Sequence, residues 1–184
     1  VLANVPSGIV DAANQVIWGR VSTVPYGNEL FRSVVSDTGI TTTMVKDIWP
    51  GSSSGYQGGG ALLPNGKLIF SANDGVNGRE LWSSDGTEAG TSLLADLYGG
   101  SDSAFGWSSF VNFGNQVVFS VYVAGSAVPN QSGTASGSAG YQLVVTDGTS
   151  SGTSVLQVAP GQNSNPLDIL GQANNLLYFT ATAP

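Results

Sequence analysis

The chain has 184 residues with no Cys and no His, so its side-chain chemistry is confined to carboxylates, hydroxyls, amides, a few cations and aromatic rings. That removes thiol nucleophiles, disulfides, the usual zinc donors and imidazole general bases together. Paired carboxylates remain, and the repeat-related candidates are Glu29, Glu80, Asp47 and Asp96. Glycoside hydrolysis would need two such groups facing each other at about 5–10 Å. These residues recur at matching places in similar segments, which puts them on different structural units, and Gln142 stands where a third Glu is expected. A carboxylate that tracks a repeat is better explained as a partner for Arg32, Lys46 or Arg79, or for backbone amides. No catalytic residue is assigned, and the expectation is a protein that is not an enzyme.

Asp85-Gly86-Thr87 and Asp147-Gly148-Thr149 are the next candidates. With Asn73 and Asp74 they offer hard oxygen ligands, and Gly permits a sharp bend, as in a calcium loop. The Asp-x-Asp-x-Asp-Gly spacing of such a loop is absent. The favoured reading is a turn in which Asp accepts from its own backbone amides, Gly takes positive φ and Thr starts the next strand. No cofactor is expected, with calcium as the competing possibility.

Aromatic rings could stack on sugars, since a ring face suits the apolar face of a pyranose. Trp18 and Trp82 sit at strand positions matched to Phe70, Phe119 and Phe31, which predicts core. Trp49, Tyr98 and Trp107 lie near Gly/Ser-rich connections and are the candidates for surface contact. Asn130-Gln131-Ser132 forms an N-glycosylation sequon, and Ser126, Thr134, Ser136 and Ser138 around it would suit O-linked sugars. All five lie in a Gly/Ser/Ala-rich insert, residues 125–140, that reads as a flexible loop.

Composition narrows the class. Asp, Glu, Lys and Arg make up only 9% of the chain, while hydrophobic residues make up 41% and Gly contributes 26 residues. Such a profile suits many short strands and tight turns rather than helices. The net charge of −7 offers no basic stripe for a phosphate backbone, so nucleic acid is not an expected partner. No apolar run approaches 18 residues, so no membrane span is expected. The chain opens on Val1 without Met, which leaves a removed leader and a fragment of a longer chain as alternatives.

The elements that must position these residues recur. NELFRSVVSDTGITTTMVKDIWPG from Asn28, RELWSSDGTEAGTSLLADLYGG from Arg79 and YQLVVTDGTSSGTSVLQVAPG from Tyr141 align, with Asp37, Asp85 and Asp147 spaced by 48 and then 62 residues. Each is preceded by a polar turn and an apolar run: NQVIWGRV, NGKLIFSA and NQVVFSVYV, with a fourth such run, NLLYFTATA, near the C-terminus. Ahead of those stand shorter apolar stretches such as Ile9-Val10 and Phe110 to Phe113. The unit therefore has four strands, and about four copies are expected: residues 9–52, 61–101, 108–162, and 167–184 completed by 1–8. The inner strands centre on Val16 to Trp18, Leu68 to Phe70, Val117 to Phe119 and Leu176 to Phe179. The first residues resemble a fourth strand, so the two chain ends share a sheet in this reading, and the last copy lacks its third strand.

Glu80-Leu81-Trp82-Ser83-Ser84-Asp85-Gly86-Thr87 resembles the ELWxxDGT repeat family of secreted and surface proteins. The second copy matches nearly residue for residue. The third keeps Thr146-Asp147-Gly148-Thr149 but has Gln142 and Val144 for Glu and Trp, and the first keeps Glu29-Leu30-Phe31 with a different turn. The resemblance implies propeller-like repeats on surface proteins and no single activity.

The expectation is an all-β fold, a propeller or propeller-like array of about four degenerate four-stranded repeats. The expected function is that of an extracellular structural or adhesive module that assembles with copies of itself, as a surface layer or filament subunit, with glycans attached. The alternative is a carbohydrate-binding, lectin-like module.

Overall fold

A computed structural model describes residues 8–101, 103–105, 109–123, 140–156 and 168–180. Among these residues there is no helix, and the strands form four antiparallel sheets. The first sheet runs β1 (Gly8–Asp11), β2 (Val16–Thr23), β3 (Gly27–Ser36) and β4 (Gly39–Lys46), each strand beside the next. The second repeats that order with β5 (Tyr56–Leu62), β6 (Leu68–Asn73), β7 (Arg79–Ser84) and β8 (Ser92–Ala95). The third holds β9 (Phe110–Phe113), β10 (Gln116–Val123), β11 (Gly140–Thr146) and β12 (Ser154–Leu156), and the fourth holds β13 (Ile169–Ala173) and β14 (Leu176–Phe179).

Local chemistry sets the hairpins. Before β2, Asp11 accepts from the amide and side chain of Asn14, and Gln15 turns the chain at φ 54°. Before β14 the same corner is Asn174-Asn175, with φ of 51° and 60°, a left-handed conformation that Asn tolerates better than most residues. Val, Ile, Leu and Phe follow each corner and carry the alternation expected of a half-buried or fully buried strand.

Register fixes which residues are equivalent. Glu29 faces Val21, Glu80 faces Ala72 and Gln142 faces Val121, while Gly19 faces Phe31, Phe70 faces Trp82 and Phe119 faces Val144. Trp82 thus takes the Phe31 place as expected. Trp18 does not take the Phe70 place: it pairs with Arg32 and matches Ile69 and Val118, while Gly19 occupies the Phe70 position. A shift of one residue moves a side chain to the other face of its sheet, so Trp18 is core on the opposite side from the one its likeness to Phe suggested.

Those faces stack in one direction. Each sheet has a leading face, which in the second carries Leu68, Phe70, Ala72 and Trp82, and a trailing face, which there carries Ile69 and Leu81. Trp18, Leu30 and Val45 of the first sheet pack on the leading face of the second. Ile69, Leu81 and Ala95 of the second pack on Val117, Phe119, Val121 and Val144 of the third. Val118, Leu143 and Val145 of the third meet Ile169, Leu177 and Phe179 of the fourth. Full burial of one such side chain contributes about 1.5–3 kcal/mol, so these layers are the main cohesive force between copies. Successive first strands neighbour one another, β1 with β5, β5 with β9 and β9 with β13. The series that runs from sheet to sheet is therefore made of first strands.

Among the described residues the fourth sheet has two strands, and an apolar cleft of about 410 Å³ between the third and fourth sheets is lined by residues that include Val118, Leu143, Leu156 and Leu177. Residues 1–7, expected as a terminal strand, lie outside the described residues, and Gly8 already belongs to β1. The insert at 125–139 also lies outside them, as do Asn130, Ser126, Thr134, Ser136, Ser138 and Trp107.

Candidate functional site

Glu29 and Glu80 are fully buried, and both close onto backbone amides. Glu80 accepts from Leu97 N at 2.6 Å and from Ala104 N at 3.0 Å, one on each carboxylate oxygen. Glu29 likewise accepts from Ile48 N at 2.9 Å and Gly55 N at 2.8 Å. In both copies the donors belong to the connection that leads from the fourth strand to the next sheet. The carboxylate is thus a clasp between consecutive sheets, made by amides rather than by Arg32, Lys46 or Arg79. Arg79 bonds Ser71 Oγ at 3.0 Å and Lys46 bonds the Thr91 carbonyl at 2.9 Å.

Burial pushes the Glu80 carboxyl up to about 7 against the pull of its amide donors, and the nearby Asp96 charge adds to the rise. Glu29 is raised by the same burial, opposed by its amides, with Asp47 adding to the rise. Each Glu therefore lies near the Asp of its own copy, so the expectation that these four carboxylates are dispersed over different units holds between copies and fails within one. The pairs still offer no cleft for a substrate, because both Glu oxygens are engaged and the side chain is closed to solvent.

The two Asp-Gly-Thr turns are built alike. Asp85 Oδ1 accepts from Thr87 N at 2.9 Å and Thr87 Oγ1 at 2.7 Å, and Asp147 does the same with Thr149 at 2.9 and 2.7 Å. The Thr hydroxyl in turn accepts from Gly90 or Gly152, both at 2.9 Å. These bonds hold each carboxyl below the usual range, the Thr hydroxyl first among the causes. The turn is therefore the Asp-capped corner expected from its sequence, with one difference: Thr87 stays inside it, and β8 opens at Ser92 after Thr91. Among the described residues no three Asp or Glu gather as a cation site would need.

Trp49 and Tyr98 stand at equivalent places, two residues beyond Asp47 and Asp96. Both are half-buried rather than open platforms. The Trp49 ring edge lies against Gly75 in the β6–β7 turn, and Tyr98 stacks on Tyr122 at 5.7 Å between ring centroids. Tyr122 meets Tyr141 edge-on at 5.4 Å. Trp49 and Tyr98 thus each spend a face or an edge on the following sheet.

Several large apolar side chains stay exposed. On the leading face of the first sheet Val10 is 63% and Ile40 42% exposed, and on the last sheet Leu170 is 69%, Leu176 57% and Tyr178 47% exposed. The Tyr178 position is buried in the inner sheets, where it is matched by Ile69 and Val118. Sequence reasoning missed Tyr178 because an apolar residue stands at that position in the inner copies as well.

The fold and this surface define an all-β protein built as a directional stack of repeated sheets. No family model, curated protein or solved structure matches the chain.

Proposed function

We propose that the chain is a non-enzymatic structural module of the cell exterior that associates with copies of itself, its sheets being blades of a propeller-like array of the ELWxxDGT kind. The observation that carries this reading is the exposure of Val10, Ile40, Leu170, Leu176 and Tyr178 at repeat positions on the two outermost sheets. Exposed large apolar residues gathered on two faces mark association surfaces. The low charged fraction, 9%, weakens the repulsion that keeps soluble proteins apart. The repeated carboxylates are used inside the fold, which supports a role without catalysis. The extracellular location rests on the family resemblance and on the sequon-bearing insert.

Light scattering over a dilution series tests the reading. The expected result is a mass above the 18.7 kDa of one chain that rises with concentration. A single-chain mass at every concentration would remove it.

A further inference from the structure

We propose that association is head to tail: the trailing face of the fourth sheet in one copy docks on the leading face of the first sheet in a second copy. The proposal rests on the reading of the chain as self-associating and specifies which faces meet.

Both complete internal contacts have one polarity, the trailing face of one sheet against the leading face of the next. The contact between the third and fourth sheets follows the same rule. Among the described residues that rule gives the leading face of the first sheet and the trailing face of the fourth no partner sheet: Val10 and Ile40 stay exposed on the first, where Phe31 and Ser33 are buried, and Leu176 and Tyr178 stay exposed on the fourth. The two faces are a matched pair by repeat equivalence. Among the described residues no two leading faces and no two trailing faces meet, so a symmetric contact has no internal precedent there.

The side chains fit this pairing. Tyr178 pairs with Gly171 as Val118 pairs with Val111 and Trp18 with Ile9, so it occupies the position that buries a large residue against the next sheet in each earlier copy. On the first sheet the open part of the leading face is its margin at Val10 and Ile40, beyond the buried Gly19 and Phe31. Gly19 stands in the Phe70 and Phe119 place. Nearby, a groove of about 330 Å³ is lined by apolar Val10, Ile17 and Val35 and by polar Gln15, Ser36 and Asp37. An aromatic ring with a hydroxyl at its tip suits such a groove, with the ring on the apolar floor and the phenol O–H donating to the polar rim. Because the two faces differ, each added copy presents the same pair again, and the contact generates an open filament or a ring of several copies according to the rotation.

The test uses two full-length variants, Val10→Asp and Tyr178→Asp, each at an exposed position where the folded monomer tolerates charge. Alone, each lacks one of the two faces and is expected to run as a single chain at concentrations where the native protein assembles, with affinity reduced at least tenfold. Mixed in equal amounts, they restore one good contact between the intact trailing face of Val10→Asp and the intact leading face of Tyr178→Asp. The expected product is a one-to-one dimer that grows no further. Val10→Ser and Tyr178→Ser repeat the experiment if circular dichroism shows either Asp variant misfolded. Single variants that assemble like the native chain, or a mixture that stays monomeric, would overturn the head-to-tail pairing while leaving self-association in place. A native chain that is monomeric throughout, with Tyr178→Asp unfolding it, would overturn both and point to closure within one chain.

Discussion

Trp82 on β7 stands directly across from Phe70 on β6, and both are buried where the first two sheets meet. Emptying a buried aromatic site typically costs about 3–5 kcal/mol, so Trp82→Ala is expected to lose that much stability in denaturant unfolding. Trp82 Nε1 is buried without a hydrogen-bond partner. Trp82→Phe therefore loses packing but removes an unsatisfied donor worth about 1–3 kcal/mol, and it is expected to cost well under half as much. Equal losses for the two variants would mean that packing at this site is not what holds the sheets.

Glu80 gives the stability an unusual pH dependence. Its carboxyl titrates near 7 in the folded chain against an ordinary 4.5, so the folded state binds the proton more tightly between those values and stability falls as pH rises through that window. At about 1.4 kcal/mol per pH unit the loss amounts to about 3 kcal/mol, complete above pH 7. Asp85 and Asp147 act in the opposite sense, their contribution being lost as pH falls below their ordinary 3.8. Urea unfolding is expected to show greatest stability between about pH 3.8 and 4.5 and a decline toward neutrality. Glu80→Gln should flatten that decline. A native profile that is flat from pH 4.5 to 7.5 would show that the amide clasp holds the ionised carboxylate at no cost.

Gly148 lies at φ 84°, and a Cβ there would come within 2.7 Å of Leu63 Cδ1 and 3.1 Å of Lys67 Cδ, both on the preceding sheet. Lys67 Nζ also bonds the Gly148 carbonyl at 3.1 Å. The Asp-Gly-Thr turn is therefore an inter-sheet contact as well as a corner. Gly148→Ala combines left-handed strain with crowding and is expected to cost about 2–4 kcal/mol. Gly99→Ala shares the φ of 84° but meets nothing within 4 Å, and should cost only about 1–2 kcal/mol. Thermal unfolding of both variants, with and without added calcium, also tests the turn against the metal reading: a rise in midpoint on adding calcium would contradict the hydrogen-bonded corner.

Much of this architecture is legible in the sequence because it repeats. The unit of four strands, the buried Trp82 and the Asp-capped corners follow from aligned residues and turn chemistry. The Trp18 register does not, since aligning an aromatic with an aromatic ignores the corner at Gln15, where the hairpin register is decided by backbone conformation. Nor do the Glu clasps, whose donors are amides 17 to 26 residues further on and leave no mark in side-chain type. The exposed Tyr178 was hidden for another reason. Tyr178 and Val118 are both apolar residues after a polar corner, and only the stacking order tells which of them has a neighbour.

The central claim is that the exposed ends of the sheet stack bring copies together, and negative-stain electron microscopy of the assembled protein tests it most directly. Head-to-tail packing is expected to give filaments or multi-chain rings, many times larger than one 18.7 kDa chain, that disappear in Tyr178→Asp. Fields containing only single-chain particles at high concentration, or assemblies that persist unchanged in that variant, would contradict it.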